Sequence, residues 1–230
     1  MSQRQGSASP NTSHARGLWI AFFGPDGVGK SAVIDALQQR LGAAFTGFLR
    51  FHFRPRFGKG DLDRAAVTCP HAQSPRGTLI SICKLLYWLL DCWIGHFAVC
   101  ITARRRRGLV VFDRYLPDIL VDPLRYRLPA GAMRLAMRLT KLAPQPDLYV
   151  LLDASAETVQ TRKQEISPTE SQRQRFAYLA MFAALPNGLV INADRPREEV
   201  VQQVTTAICS FRIAGPGKQK ALLRAGFRSS

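Results

Sequence analysis

Residues 22–33, FFGPDGVGKSAV, combine small, cationic and hydroxyl-bearing residues at a spacing that suits the binding of an anion. Gly24, Gly29, Lys30 and Ser31 fit the pattern G-x-x-x-x-G-K-[ST]. Glycines let the backbone turn so that its N–H groups converge on phosphate oxygens. A lysine at this position reaches the β- and γ-phosphates, and the serine hydroxyl ligates Mg²⁺. The pattern therefore predicts the binding of ATP or GTP together with Mg²⁺.

The flanking sequence supplies the context that such a loop requires. Residues 18–23, LWIAFF, form an apolar run that predicts a buried strand. From Lys30 to Leu41 apolar residues recur at helical spacing, and Gly42 marks the end of the predicted helix. A helix N-terminus adds a partial positive charge next to a bound phosphate. Strand, loop and helix together favour a true phosphate loop over a chance match.

A second cluster follows another buried strand, in VVFDRYLPD, residues 110–118. Asp113 ends the predicted strand, and the loops at the carboxyl ends of parallel strands build active sites. We therefore expect Asp113 to face a ligand crevice. The alternative is an ordinary aspartate at a strand end, paired with Arg114.

The third cluster is basic and lies between two predicted helices, within residues 161–179. Arg162, Lys163, Arg173 and Arg175 surround a polar turn. A mobile basic lid over phosphates has this composition. A solvated pair of helices has it as well, and the spacing alone favours that simpler interpretation.

Strands and helices alternate along the chain, which predicts a parallel sheet with helices on both faces. The predicted strands cover residues 18–23, 47–53, 107–113, 147–153 and 188–193. The predicted helices cover residues 30–41, 79–103, 130–142, 155–165, 169–184 and 196–211. Residues 54–77, rich in Pro, Gly and Arg, are predicted to form a loop. We expect one domain over residues 17–211, a disordered tail at 1–16 and a basic tail at 212–230.

Several of these motifs together resemble the thymidylate kinase family of P-loop nucleoside monophosphate kinases. The resemblance lies in G-x-D-G-x-G-K-S, in D-R-Y at 113–115, in PDLYVLLD at 146–153, in the basic lid and in INADRPREEV at 191–200. It implies an α/β P-loop kinase fold with a five-stranded parallel sheet and a short basic lid. It also implies transfer of the γ-phosphate of ATP to a nucleoside monophosphate, with dTMP as the first candidate.

The resemblance assigns a role to the acidic residue inside the phosphate loop. Asp26 would face the acceptor and contact its sugar hydroxyl, leaving the ATP phosphates to the loop amides and Lys30. Family members without an arginine in the loop use lid arginines in catalysis, and this chain has Gly27 and Val28 there. The implied catalytic residues are Lys30, Asp113, Arg162, Arg173 and Arg175. The implied nucleotide-binding residues are Gly24, Pro25, Asp26, Gly27, Val28, Gly29, Lys30, Ser31 and Ala193.

The same resemblance implies an acceptor site and a metal site. Arg114 would hold the acceptor phosphate, and Ser31 and Asp113 would organise Mg²⁺. The implied acceptor-binding residues are Asp26, Arg54, Asp113, Arg114 and Tyr115. The stretch LPDILVDPLRYR, 116–127, differs from the family because Asp118, Asp122 and Arg125 replace the expected base-reading residues. Another nucleotide or a sugar phosphate is therefore an alternative acceptor.

The overall charge points to anionic partners. The chain has 32 Lys and Arg against 16 Asp and Glu, a net charge of +16. Residues 79–103 are mostly apolar and precede Arg104–Arg107, and with the net charge they also fit a membrane- or nucleic-acid-associated ATP-binding module. We favour a helix buried in the core of a cytoplasmic enzyme, because Lys84, Asp91 and His96 interrupt the segment. Contact with an anionic membrane and a homodimer stay as alternatives, and no specific nucleic acid is expected.

The five cysteines and the polar N-terminus agree with a cytoplasmic location. No cysteine pair has C-x-x-C spacing, so free thiols in a reducing compartment are expected. The first residues contain no apolar core of a secretory signal.

Overall fold

The computed structural model of the 230-residue chain describes residues 16–55, 74–162 and 167–226, with side chains described up to residue 213. The predicted N-terminal tail, most of the predicted 54–77 loop and Lys163 in the predicted lid lie outside these residues.

Five strands form one parallel sheet in the order β2-β3-β1-β4-β5, as predicted from the alternation of strands and helices. The strands are β1 (Leu18–Phe23), β2 (Phe48–His52), β3 (Leu109–Asp113), β4 (Leu148–Asp153) and β5 (Gly188–Asn192). The sequence prediction places each strand within two residues of its observed bounds. The central strands are buried on both faces, which explains their continuous apolar runs.

Helices connect the strands and cover both faces of the sheet. They are α1 (Lys30–Leu41), α2 (Thr78–Gly95), α3 (Ile101–Arg105), α4 (Asp118–Val121), α5 (Met133–Leu142), α6 (Ala156–Arg162), α7 (Pro168–Ala183) and α8 (Arg197–Gly226). A π-helical turn, His96–Cys100, joins α2 to α3, and a 3₁₀ turn, Ala130–Ala132, precedes α5. Sequence analysis did not predict the short α4, and α8 continues past the predicted end at residue 211.

The side chains of β1 alternate between two separate parts of the core. Leu18, Ile20 and Phe22 pack with α1 and α8 on one face of the sheet. Trp19 and Phe23 pack with α2, α5 and α7 on the other face. This two-residue period follows from the pleat of a strand, which directs successive side chains to opposite faces. The sheet is therefore fixed from both sides, and the carboxyl ends of its strands meet along one edge.

The segment predicted to be a buried helix is buried on one face only. It is the helical stretch Thr78–Arg105, which is long and apolar enough to cross a membrane by length and composition, and one third of its most apolar window is buried. Core helices of globular proteins meet the same criteria. Leu85, Trp88 and Cys92 pack against the sheet. The opposite face exposes a row of large apolar side chains: Leu79, Ile80, Leu86, Tyr87, Leu90, Ile94 and Phe97.

Candidate active site

The loop between β1 and α1 adopts the backbone conformation that its glycines allow. Gly24 and Gly29 have φ angles of 137° and 101°. A Cβ atom at Gly24 would lie 2.6 Å from the carbonyl oxygen of Leu152, so only glycine fits there. Lys30 is 6% exposed, and its Nζ donates hydrogen bonds to the carbonyl oxygens of Gly24 and Pro25, at 2.8 and 2.7 Å. Burial and the nearby Arg114 lower the pKa of Lys30 to about 8.

Asp113 at the end of β3 lies beside the first turn of α1. The Ser31 hydroxyl donates to Oδ2 of Asp113 at 3.2 Å, and Arg50 donates to the same oxygen at 3.2 Å. Oδ1 of Asp113 is buried and has no hydrogen-bond partner among the residues that the structure describes. Burial alone would raise the pKa of Asp113, but nearby cations, Lys30 foremost, lower it below its usual value. The carboxylate is thus ionised and keeps one oxygen for a further partner.

These groups fit a magnesium ion that is also bound by phosphates. Mg²⁺ takes oxygen ligands and is commonly held by one or two protein groups plus substrate phosphates. The unpaired Oδ1 of Asp113 and the Ser31 hydroxyl have that chemistry. Residues 16–55, 74–162 and 167–226 contain no group of three or more His, Cys, Asp or Glu that could hold a metal ion without such phosphates.

The chain continues from β2 and β3 in a strained conformation. Phe53 and Arg114, the residues that follow the two strands, have φ angles of 66° and 68°. The backbone N–H of Phe53 donates to the carbonyl of Asp113 at 3.0 Å, and that of Arg114 donates to the carbonyl of Phe22 at 2.9 Å. Left-handed non-glycine residues cost about 1–3 kcal/mol each and cluster at functional sites. The turn directs the Arg114 side chain across the edge of the sheet.

Asp26, in the middle of the phosphate loop, is bound by two arginines from outside the loop. Nη2 of Arg114 donates to its Oδ1 at 2.6 Å, and Nη1 of Arg125 donates to its Oδ2. Burial alone would raise the pKa of Asp26, but Arg114, Lys30 and Arg125 outweigh that effect and hold the pKa far below its usual range. Both oxygens of the ionised carboxylate thus contact arginines that follow β3 and α4.

A buried network holds Arg114 in place from its other side. Asp118 is 0% exposed and accepts from Nη1 of Arg114 at 2.7 Å. The hydroxyls of Tyr126 and Tyr178 also donate to Asp118, at 2.7 and 2.6 Å. Burial, together with the Asp118 carboxylate, raises the pKa of both tyrosines well above the ordinary value, so both stay protonated donors. One carboxylate therefore fixes three donors that come from three different segments.

Arg54 lies at the far end of this crevice and is paired with helix α2. Its Nη1 donates to Asp91 at 2.6 Å, and its guanidinium lies 5.0 Å from the ring centre of Tyr87. Phe53 stacks on Tyr126 with ring centres 4.8 Å apart. Phe53, the neighbour of Arg54, therefore packs on a tyrosine that belongs to the Asp118 network.

The three described arginines of the predicted lid have different surroundings. Arg162 at the end of α6 donates to the carbonyls of Val28 and Ala193, both at 3.4 Å, so it reaches the phosphate loop and the loop after β5. Arg175 makes a two-pronged ion pair with Asp153, with both distances 2.8 Å. Arg173 pairs with Glu170 and the carbonyl of Val121. Of the three, Arg162 is the one that contacts the phosphate loop.

Three further residues, one predicted and two overlooked, complete the comparison with the sequence. Tyr115 lies in the core, 1% exposed, and its hydroxyl donates to the carbonyl of Pro144 at 2.9 Å, so its side chain does not face the crevice. Arg50 was missed, although it shares one face of β2 with His52 and reaches Asp113. Arg125 was noted only as a departure from the family, and its contact with Asp26 was not predicted. The i, i+4 spacing of Arg114 and Asp118 is a signal that was present in the sequence.

Comparison with known proteins agrees with this geometry. No protein-family model matches the chain. The chain is 30% identical over 200 residues to the thymidylate kinase of Leifsonia xyli subsp. xyli (strain CTCB07), an alignment that covers 82% of this chain and 92% of that protein. The chain belongs to the thymidylate kinase family. It is therefore an enzyme of the nucleoside monophosphate kinase type, as the sequence motifs predicted.

Proposed function

We propose that this thymidylate kinase family member transfers the γ-phosphoryl group of ATP to dTMP, giving dTDP and ADP. The observation that carries the proposal is the arrangement of charged groups around the phosphate loop. Lys30 donates to the loop, Ser31 contacts Asp113, and Asp26 inside the loop is bound by Arg114 and Arg125. Two anionic substrates would meet near Lys30. Such transfer needs in-line positioning and charge stabilisation, with little covalent chemistry by the protein.

ATP would be held by the loop Gly24–Ser31 and the groups around it. Lys30 donates to two loop carbonyls, and it would exchange these bonds for β- and γ-phosphate oxygens. Arg162 lies against Val28 and Ala193, where it would neutralise charge that develops on the transferred group. Arg173 and Arg175 stay candidates for the same task once the lid closes, although each is now paired with a carboxylate.

Mg²⁺ would be held by the Ser31 hydroxyl and, directly or through water, by Asp113. When bound, the ion would offset the negative charge of the phosphates. Arg50 shares an oxygen of Asp113 with Ser31, which keeps the carboxylate oriented and ionised. The unpaired Oδ1 of Asp113 supports this assignment.

The acceptor would occupy the crevice between Asp26 and Arg54. Asp26 would accept a hydrogen bond from the sugar hydroxyl, and Arg114 would place positive charge near the acceptor phosphate. The aromatic wall of Phe53 and Tyr126 would pack beside the base. Tyr115 would act indirectly, by packing behind the D-R-Y turn.

The acceptor assignment is tested by a coupled assay of ADP release with the purified full chain, ATP and Mg²⁺. The panel contains dTMP, the other common nucleoside monophosphates and several sugar phosphates. We expect the highest kcat/KM with dTMP. A higher kcat/KM with a different nucleotide, or with a sugar phosphate, would replace dTMP as the acceptor within the same fold. The absence of turnover with every nucleoside monophosphate would refute the proposed function.

The exposed apolar face of α2 is proposed to bind a second copy of the chain. A row of apolar side chains that ends before Arg105 suits antiparallel packing, because the basic ends of the two helices then lie far apart. Leu90→Glu should give a monomer in sedimentation equilibrium, whereas the control Leu142→Glu changes an equally exposed leucine on α5. A monomeric wild type that sediments with acidic liposomes at low salt would instead assign this face to an anionic membrane.

A cytoplasmic location is proposed from the cysteines. Cys83, Cys92, Cys100 and Cys209 are free thiols, which suits a reducing compartment. Labelling of exposed thiols in intact cells with a membrane-impermeant reagent should leave Cys83 unmodified, and its modification would contradict this location.

A further inference from the structure

Arg125 is placed next to the residue on which acceptor binding depends. It lies in the loop after α4, in the stretch that departs from the family, and its guanidinium contacts Oδ2 of Asp26. The other oxygen of Asp26 is bound by Arg114. Each oxygen of Asp26 therefore already accepts from one arginine, and an acceptor hydroxyl would compete with these arginines for the carboxylate. Displacement of one arginine would give the hydroxyl better access to Asp26.

Arg114 is the less able of the two to move. It is 2% exposed, and its terminal nitrogens donate to Asp118, Tyr178 and Asp26. Breaking these bonds would leave charge buried without partners, which is strongly unfavourable. Arg114 can raise the electrostatic potential of the crevice from this position, but its Nη1 donates to Asp118 and Tyr178 and its Nη2 donates to Asp26. A more accessible donor could bind an entering phosphate with fewer buried bonds broken.

Arg125 has a fixed backbone and a more accessible side chain. Its backbone N–H donates to Oδ1 of Asp122 at 3.1 Å, and the next residue, Tyr126, is anchored to Asp118. The Arg125 side chain is 22% exposed, against 3% for Arg114. A long side chain on a fixed backbone can rotate from one anion to another without changing the fold. A guanidinium also matches a phosphate with two parallel N–H donors.

We propose that Arg125 is a positioning residue for the acceptor, which exchanges the Asp26 carboxylate for the acceptor phosphate. The inference rests on the proposed function and names the chemical class that Arg125 recognises, the phosphate dianion of a nucleoside monophosphate. The exchange frees Oδ2 of Asp26 to accept from the acceptor's sugar hydroxyl. Arg125 thereby couples phosphate recognition to sugar recognition. A nucleoside without a phosphate would gain nothing from Arg125.

The test compares dTMP with thymidine in Arg125→Ala, Arg125→Lys and the control Arg138→Ala, which removes an exposed arginine on α5. Initial rates give KM for dTMP and for ATP, and inhibition by thymidine gives its Ki. Arg125→Ala should raise KM for dTMP about ten- to a hundredfold. KM for ATP and Ki for thymidine should stay close to wild type. Arg125→Lys should recover part of the loss, because it restores the charge without the planar fork.

A difference between the effects of Arg125→Ala on dTMP and on thymidine separates phosphate recognition by Arg125 from a merely structural role. If Arg125 only held Asp26 in place, Arg125→Ala would weaken dTMP and thymidine equally, and that result would overturn the proposal. An unchanged KM for dTMP would overturn it as well. Should Arg125→Ala fail to fold, as judged by thermal unfolding, Arg125→Gln and Arg125→Lys carry the same comparison. If wild type turned over no nucleoside monophosphate, the proposed function itself would fail, which the wild-type assay alone reveals.

Discussion

The part of the site that would bind ATP (the donor half) and the part that would bind the acceptor (the acceptor half) consist of different kinds of groups. On the donor side, the backbone of one loop, Lys30, Ser31 and the end of β3 form a compact unit within a short stretch of sequence and one neighbouring strand. On the acceptor side, Asp26 forms ion pairs with Arg114 and Arg125, which lie 88 and 99 positions further along the chain, and Asp118 pairs locally with Arg114. Backbone groups and glycines define the first half, and long side chains define the second.

This difference explains why one half follows the family pattern and the other departs from it. A phosphate loop fails if a glycine gains a side chain, as the 2.6 Å approach of Leu152 to Gly24 illustrates. An ion-pair network can change its members as long as each buried charge keeps a partner. The acceptor half can therefore change its specificity on an unchanged sheet. Variants in each half test whether ATP binding and acceptor binding depend on different residues.

Lys30→Ala should reduce kcat about a thousandfold, because it removes a preorganised cation from the transferring phosphates. Thermal unfolding of the variant checks that it folds, and Lys141→Ala, an exposed lysine on α5, is the control. Wild-type turnover by Lys30→Ala would refute the phosphate-loop assignment.

Asp118→Ala should lower the free energy of unfolding by about 3–5 kcal/mol, because it leaves the buried Arg114 and two tyrosine hydroxyls without a shared acceptor. Urea denaturation measures the change. Asp35→Ala, which breaks an exposed ion pair with Arg50, should cost about 0–1 kcal/mol. Similar losses for both variants would show that the Asp118 network does not stabilise the acceptor half.

Asp26→Asn should lower kcat/KM for the acceptor about a hundredfold while the dissociation constant for ATP stays nearly unchanged, because both Asp26 oxygens contact Arg114 and Arg125. Steady-state rates and equilibrium titration with ATP provide the two values. Equal losses for both substrates would show that the carboxylate does not belong to the acceptor half.

Arg162→Ala should lower kcat about tenfold, whereas Arg173→Ala and Arg175→Ala should have smaller effects. Arg162 alone among these three contacts the phosphate loop, and the other two are held by Glu170 and Asp153. Single-turnover rates compare the variants. A larger loss in Arg175→Ala would indicate that the Asp153 pair opens during catalysis.

The smallest effect concerns pH. The pKa of Lys30 is lowered to about 8, so Lys30 of the free enzyme is charged below that pH and loses its charge as the pH rises through it. The value of kcat/KM for ATP, which reports the free enzyme, should therefore decline above about pH 8. Protonation of Asp26 should not lower kcat/KM as the pH falls slightly below neutrality, because the pKa of Asp26 lies far below the usual range. A profile that is flat up to pH 10 would contradict the first expectation.

The sequence predicted the sheet closely and placed the phosphate loop between a strand and a helix, because both features depend on local signals. Continuous apolar runs indicate strands, and the spacing of Gly24, Lys30 and Ser31 indicates a loop with one conformation. The same signals overestimated the burial of Thr78–Arg105, since an apolar composition does not reveal which face packs on the sheet.

The acceptor half was predicted only in part, because its contacts join residues that are distant in the sequence. The resemblance to the family directed attention to Asp26 and Arg114, but the partner Arg125 is ninety-nine positions from Asp26. Arg50 was missed because it lies inside a predicted strand, where the sequence pattern indicates structure and not a contact with Asp113. Tyr115, which the motif included, packs in the core because the turn after β3 directs alternate side chains to opposite sides.

The decisive measurement is a crystal structure of the full chain bound to a pentaphosphate that joins adenosine to thymidine. The account predicts phosphates on the amides of Gly24–Ser31, adenosine beside Ala193, and thymidine in the crevice with its sugar hydroxyl on Asp26. Arg125 should lie on a phosphate oxygen. Thymidine bound elsewhere, or an Asp26 carboxylate turned away from the acceptor, would contradict the division of the site into these two halves.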